Sequence, residues 1–264
     1  MMYALIVIYN KACENSETLN SIYKWKDKIE IVIFDNSTKS NNNQAYCQRE
    51  EILYFTEKKN LGLSKAYNYV IDRLSLNDDD YIIILDDDTV LSDEYIEEVL
   101  RSQHLDKDIL LPIVRCNDKI ISPTNIKFKC GSKIVKSIKD LKFDNMSAIN
   151  SGMVICGRVF KNIRYNEDLF LDCVDHEFMR MVRNNKFSIY LLKNGIIQNF
   201  SRNEKPAIEN ALFRFKLYKA DFKKYCKINN ATLYYYLSIF KFLLVYSFRY
   251  RSLKFLTMYL KDRE

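Results

Sequence analysis

The first hundred residues alternate between two kinds of segment, and this alternation constrains the fold more than any other feature of the sequence. Residues 3–9, 29–35, 52–55 and 81–85 are short runs of apolar, β-branched and aromatic residues. Between them lie stretches with helical spacing, clearest over residues 64–74, where Ala66, Tyr67, Val70, Ile71 and Leu74 recur on one face. Strands that are apolar along their whole length are buried on both faces, and alternating helices supply the cover. The expected class is therefore α/β, a mostly parallel sheet with helices on both faces. Five Gly and three Pro are too few for the many turns of an all-β sandwich. Ser92 is placed to cap a helix reaching to about residue 105, with Asp93 and Glu94 in its first turn. Further on, residues 109–114 and 187–192 read as strands, and 148–156 as a strand broken at Ser151-Gly152. Residues 171–184 contain a helix, and the pattern from residue 204 is helical.

Each early strand ends in polar residues. Tyr9-Asn10 follows the first, Asp35-Asn36-Ser37 the second, Asn60-Leu61-Gly62 the third, and Asp86-Asp87-Asp88 the fourth. In an open α/β sheet the ligand crevice lies beyond the carboxyl ends of the strands, so these groups are expected to converge. One such end is no more than a strand stop and a helix cap; four in succession favour a site. Within YIIILDDDTVL, alternate residues point the same way, so Asp86 and Asp88 would face one ligand while Asp87 points aside. Two carboxylates aimed at one spot repel unless a cation sits there. Hard oxygen ligands, with room for diphosphate oxygens and water, suit Mg²⁺ or Mn²⁺. The competing reading is a solvated acidic loop that also caps the next helix.

The succession VIYN, VIFDNST, KNLGLSKAYNYVI and YIIILDDDTVL resembles the family 2 glycosyltransferases of the GT-A fold. LDDDT matches that family's D-x-D motif, and KNLGLSKAYN its N-x-G-x-(x)-x-A-x-N segment. INSGMVICGRVF resembles the segment placed under the donor sugar, which implicates Ser151 and Gly152. YNEDLFLDCVDHEFMRMVRNNKFSIYLL resembles the acceptor-side motif of rhamnosyl- and galactofuranosyl-type members. The resemblance covers about residues 3–200, and its weight lies in the order and spacing of motifs that are each short. It implies an inverting, metal-dependent transfer of a sugar from a UDP- or dTDP-sugar. The acceptor would be a hydroxyl of a saccharide or lipid-linked saccharide in surface polysaccharide synthesis. Tyr9, Asn10, Asn60, Gly62, Lys65, Asp86 and Asp87 would then bind the donor, and Asp35 would accept from the imide N–H of uracil or thymine. Asp86 and Asp88 would hold the metal.

The same resemblance makes Asp175, in VDHE, the general base. An inverting transferase needs one, because the acceptor hydroxyl must lose its proton as it attacks. Asp172 and Glu177 are nearby alternatives: on a helix Asp172 shares a face with Asp175, and Glu177 does not. The plainer reading is an exposed acidic helix start with Asp172 as N-cap. Lys65 is equally an ordinary exposed helix residue, and His176, between two acids, reads as surface. Where the family often carries a metal-binding His, this sequence has GIIQNFS, which puts Gln198 at the third metal contact. An amide oxygen is a weaker ligand than an imidazole.

The net charge of +7 is unevenly placed: residues 201–264 hold 14 Lys/Arg against 5 Asp/Glu. The chain divides on this basis into a catalytic domain over residues 1–200 and a helical basic extension over 201–264. Residues 231–248 contain one charge, Lys241, and almost reach spanning length, but they are rich in tyrosine and the lysine is central. RSLKFLTMYLK sets Arg251, Lys254 and Lys261 on one helical face and Leu253, Leu256 and Leu260 on the other, the build of a helix lying in a membrane interface. Packing against the catalytic domain, or against a second subunit in a homodimer, is the alternative. No nucleic-acid-binding module accompanies these basic residues, so nucleic acid is not an expected partner. Seven Cys with no C-x-x-C pair, and only two His, read as reduced thiols. With no signal peptide in MMYALIVIYN, the expectation is a cytoplasmic protein, peripheral to the inner face of the cytoplasmic membrane if the tail binds lipid.

Two rivals remain at this level. IIILDDDTV also fits the first motif of haloacid-dehalogenase-type phosphatases, with Asp86 as nucleophile, although three strand units precede it and no later Gly-Asp motif follows. The other is a nucleotide-sugar-binding protein weakened in catalysis, with Gln198 as the symptom.

Overall fold

The computed structural model describes residues 1–198 and 206–261, with side chains through 259. Strands β1 (Met2–Ile8), β2 (Glu30–Asp35), β3 (Leu53–Thr56) and β4 (Tyr81–Asp86) alternate with helices α1 (Glu17–Ile22), α2 (Asn43–Arg49) and α3 (Leu63–Leu74). Helix α4 (Asp93–Ser102) follows, capped by the Ser92 hydroxyl, which accepts from the Tyr95 N–H. The middle of the chain forms β5 (Ile109–Leu111), β6 (Val114–Cys116), β7 (Lys119–Ser122), β8 (Thr124–Lys127), β9 (Gly131–Lys133), β10 (Met146–Ser147) and β11 (Met153–Cys156). Helix α5 (Val174–Asn184), β12 (Ile189–Leu191) and β13 (Ile196–Ile197) lead to α6 (Ile208–Ile228), α7 (Thr232–Tyr250) and α8 (Lys254–Lys261).

Seven strands make the central sheet, in the order β12-β5-β11-β4-β1-β2-β3. Every pairing is parallel except the two made by β11. Register brings the strand ends together: Ile8 pairs with Asp35, Asp35 with Thr56, and Val7 with Asp86. Leu5, Ile6, Val32, Ile33, Ile83 and Ile84 are fully buried between the helical layers, to which α3 adds Ala66, Tyr67 and Val70 and α4 adds Tyr95, Ile96 and Val99. Each such aliphatic side chain contributes roughly 1.5–3 kcal/mol by leaving water. This is the mostly parallel, doubly covered sheet that the alternation predicted.

The departures have local causes. The strand expected over 109–114 stops at Leu111, because Pro112 cannot donate to the ladder; the chain resumes as β6 in a separate sheet, β13-β6-β7. The strands β10-β8-β9 make a third sheet. Asp172 does not cap α5. The cap position is Cys173, in the left-handed region at φ 63° with no side-chain cap bond, and Asp172 is ion-paired with Arg214. Arg251 is the left-handed C-cap of α7, at φ 49°, so it does not share a helical face with Lys254. Phe255 of α8 is buried against Phe215, Tyr246 and Tyr250, so α8 packs on the other helices. The expected boundary at 200/201 and the side chains of Leu260 and Lys261 lie outside the described residues. Among those residues no helix is long and apolar enough to cross a membrane. All seven cysteines are free thiols, with Cys13 and Cys47 Sγ 3.8 Å apart.

Candidate active site

The acidic turn after β4 is fixed by neutral hydroxyls. Thr18 Oγ1 donates to the Asp86 carbonyl (2.6 Å) and accepts from the Thr89 N–H (2.8 Å). Ser16 Oγ donates to the Asp87 carbonyl at 3.0 Å. Thr89 Oγ1 meets Ser151 Oγ at 2.9 Å, so Ser151 is buried beneath the turn and does not line the cleft. Strand β4 ends at Asp86, so Asp87 and Asp88 lie in a turn where strand alternation does not apply, and all three side chains line one cleft. Asp87 is drawn to Lys11 Nζ at 2.8 Å, whereas Asp86 and Asp88 carry no ion pair among the described residues. Burial, and after it the Asp88 charge, pushes the Asp86 carboxyl up to about 7, and the Asp175 charge adds to this. Asp88 is raised as well, by burial and then by Asp87, against the pull of Lys11.

A cleft of about 580 Å³ opens over this turn, lined by Tyr9, Asn60, Gly62 and Asp86–Asp88 together with Asn36. Asn36 organises its rim: Oδ1 accepts from the Leu61 N–H (2.7 Å) and Nδ2 donates to the Gly62 carbonyl (3.3 Å). Asn60 Oδ1 accepts from the Gly62 N–H at 2.9 Å. Gly62 has φ +78°, and a Cβ there would lie 2.5 Å from the Phe170 carbonyl oxygen, so no other residue fits this approach of α3 to the 170 loop. Lys65 is exposed on α3 and Asn10 braces the neighbouring loop, accepting from the Thr38 and Lys39 N–H groups at 3.0 and 3.1 Å; neither lines the cleft. Gly152, at φ +79°, lies behind the turn, where its carbonyl accepts from Tyr95 OH at 2.6 Å.

Asp35 belongs to a separate pocket of about 290 Å³, with Asn41, Tyr54, Thr56 and Lys58. Its carboxylate accepts from the Ser37 N–H (3.0 Å), Asn41 Nδ2 (2.9 Å), Asn43 Nδ2 (2.9 Å) and Tyr54 OH (3.0 Å). Burial alone would raise its pKa, but these donors outweigh burial and hold it below the usual 3.8.

A second cleft, of about 560 Å³, shares Asp86, Gln198 and Arg214 with the first and contains Asp175. Three carboxylates compete here for the role of base, and their partners separate them. Glu177 is buried and gripped by Arg180 through two bonds of 2.8 and 2.6 Å. Asp172 is paired through both oxygens with Arg214, one bond measuring 2.7 Å. Asp175 alone of the three has no cationic partner among the described residues, and only its Oδ1 is engaged, by the His176 N–H at 2.7 Å. His176 is no plain surface residue: its ring is partly buried, with Nδ1 2.7 Å from Ser147 Oγ.

Two parts of the site escaped the sequence. Arg214 and Phe213 of α6 line the first cleft, although they belong to the basic extension. Asp221 of α6 is buried and accepts from three successive backbone N–H groups, those of Phe170 (3.1 Å), Leu171 (2.8 Å) and Asp172 (2.9 Å). The available signal was a single carboxylate in YKADFKKY, amid lysines.

Gln198 lines both clefts, and its buried Oε1 has no hydrogen-bond partner among the described residues. An unpaired buried acceptor is costly unless something binds it. Among the described residues no three His, Cys, Asp or Glu can together hold a metal. A divalent ion would therefore rest on Asp86 and Asp88, the amide oxygen of Gln198 and ligand oxygens. That donor set is hard and incomplete without substrate, which fits Mg²⁺ or Mn²⁺.

The sequence profile of glycosyl transferase family 2 matches residues 3–164. The dTDP-rhamnosyl transferase RfbF of Shigella flexneri is 30% identical over 186 residues, 67% of this chain and 61% of that relative. The chain thus spans less than two thirds of the relative's length. A crystal structure of GalNAc-T7 with UDP, GalNAc and Mn²⁺ superposes with a TM-score of 0.55 at 14% identity, covering 89% of this chain and 55% of the other. The glucosyl-3-phosphoglycerate synthase of Mycobacterium tuberculosis, in complex with phosphoglyceric acid, gives 0.53 at 7% identity, covering 86% and 80%.

Proposed function

The chain belongs to glycosyl transferase family 2 with the GT-A fold, and from this we propose that it is an inverting glycosyltransferase using a UDP- or dTDP-sugar. The observation that carries the reading is that Asp86 lines both clefts, joining the Asp86–Asp88 turn to Asp175 across one wall. The first cleft takes the nucleotide sugar and the second the acceptor, a saccharide or lipid-linked saccharide of surface polysaccharide synthesis. The relative's name favours dTDP-rhamnose as donor. The phosphatase reading of Asp86 gives way to the family match, and the presence of Asp175 without a cationic partner among the described residues argues against a purely binding role.

Asp175 takes the proton of the acceptor hydroxyl as that oxygen forms its bond to the anomeric carbon, and the bond from that carbon to the diphosphate breaks with its electron pair leaving on the diphosphate. Asp175 has an oxygen not engaged by any described residue and free to meet the hydroxyl, whereas the oxygens of Asp172 and Glu177 are taken up by Arg214 and Arg180. Asp86, Asp88 and Gln198 would hold a divalent ion, which when bound would supply neutralisation of the diphosphate charge. Asn60, Gly62 and Tyr9 shape the donor wall. In the Asp35 pocket, the exposed Asn41 amide occupies a position on Oδ2 that a pyrimidine imide N–H would take. Asn10, Lys65, Ser151 and Gly152 act at one remove, by holding loops or flanking the cleft. Residues 1–200 form the catalytic unit in this proposal, and α6 closes it from outside.

The test is thermal-shift titration of nucleotide sugars with Mn²⁺, where binding to the folded state raises the midpoint. Asp88→Ala should lose the divalent-dependent shift. Asp175→Asn should keep the shift and lose transfer; normal transfer by that variant refutes the assignment of the base.

A further inference from the structure

One surface outside the clefts is built for a partner. Helix α7 is apolar on two faces. Tyr235, Ile239 and Leu243 are buried, yet Leu233, Leu237, Phe240, Leu244 and Phe248, at spacings of three and four, form an exposed stripe along the other side. Leu237 and Phe240 are 62% and 61% exposed. A contiguous apolar face of this kind marks an interaction site.

The β8–β9 turn stands beside the start of that stripe. It places Phe128 and Lys129 in the left-handed region, at φ 50° and 66°, which is costly for bulky side chains and leaves Phe128 64% exposed at the tip. Phe128, Leu233 and Leu237 line one open groove with Lys127, Lys129 and Lys241. None of these three lysines has an ion pair among the described residues, and the groove contains no carboxylate. An apolar stripe edged by cations without ion pairs, Lys127 Nζ standing 4.8 Å from the Phe128 ring centre, is complementary to a bilayer with anionic headgroups. A second copy of the chain would bring the same lysines against one another.

The groove is also continuous with the Asp175 cleft, since Tyr234 and Ser238 line both. A carrier embedded in that bilayer would present its terminal hydroxyl on the side where Asp175 lies. This last point rests on the transferase reading above; the docking surface does not.

We infer that the β8–β9 turn and the exposed face of α7 dock on an anionic lipid bilayer. The test is co-sedimentation of the full chain with phosphatidylglycerol–phosphatidylcholine vesicles and with pure phosphatidylcholine vesicles. The wild type should bind the anionic vesicles preferentially. Each lysine near an anionic surface is worth about fivefold in partitioning, so Lys127→Glu/Lys129→Glu should weaken binding by at least about twentyfold. Leu237→Gln/Phe240→Gln should weaken it about tenfold or more with the unfolding midpoint kept. If that pair disturbs folding, Phe128→Ser at the hairpin tip replaces it. Absence of wild-type binding, or binding unchanged by the charge reversal or by the apolar variant, overturns the inference. So does a dimer, seen by light scattering, that the apolar variant dissociates while no vesicle binds. Vesicle binding without any nucleotide-sugar shift leaves the surface standing and removes the transferase reading alone.

Discussion

Replacing Asp221 by Asn should loosen the loop that contributes Phe170 and Leu171 to the first cleft and Leu171 and Asp172 to the second, although Asp221 itself lines neither. Asp221 sits on α6, 2% exposed, and its two oxygens accept from the backbone N–H groups of Phe170, Leu171 and Asp172. Those residues run directly into Cys173 and the first turn of α5, which carries Asp175. The variant keeps one acceptor oxygen and turns the other position into a donor facing N–H groups. A hydrogen bond to a buried charge is worth about 1.5–3 kcal/mol, and an orphaned buried N–H costs about 1–3 kcal/mol. With one bond retained, the net destabilisation should be about 3 kcal/mol, which for a chain of this size lowers Tm by about 6–12 °C. The local assay is amide hydrogen exchange: the three amides should lose protection while those of β1 and β4 keep theirs. In the kinetic assay kcat should fall, and KM for the donor should rise with it, because Phe170 and Leu171 line the first cleft and the Leu63 N–H donates to the Phe170 carbonyl at 2.6 Å. If the three amides stay protected, or if denaturation shows a loss below about 1 kcal/mol, the loop is not held by this carboxylate and the reasoning fails.

Two other perturbations follow from the same geometry. Gln198→His should offer the proposed ion an imidazole in place of an orphaned amide oxygen, lowering the Mn²⁺ concentration for half-maximal thermal shift by about tenfold; an unchanged midpoint would remove Gln198 from the metal site. Asp108 is partly buried, which alone would raise its pKa, but bonds from Arg158 (2.6 Å) and Ser188 (2.7 Å to N and to Oγ) hold it below the usual 3.8. Its contribution is therefore complete above about pH 4 and is lost as pH falls through the lower folded value, so Asp108→Asn should flatten the acid limb of a stability–pH curve relative to wild type.

The sheet was legible in the sequence because its strands are continuously apolar and evenly spaced, and because Ser92 and Asp93 announce α4 in local chemistry. The convergence of Asp86, Asn60, Gly62 and Tyr9 followed from topology alone, since parallel strands share one carboxyl edge. The small sheets were not legible: β10 and β13 have two residues each, too short for any period, and their partners lie tens of residues away. The same holds for Asp221 and Arg214, whose roles depend on where a tail helix comes to rest. Asp172 shows the limit of local rules. Its sequence position suits an N-cap, but a guanidinium from α6 reaches it and the helix starts one residue later.

The hydroxyl bonds from Ser16 and Thr18 have a consequence for how an ion would be received. They fix the main chain of Asp86, Asp87 and Thr89 through groups that do not titrate. The backbone that carries the aspartates is thus set before any cation arrives, whereas the Asp88 carboxylate is exposed and has no hydrogen-bond partner among the described residues. On the proposed metal reading, Thr18 would govern ion binding through the backbone of the turn, although it has no place in the reaction itself.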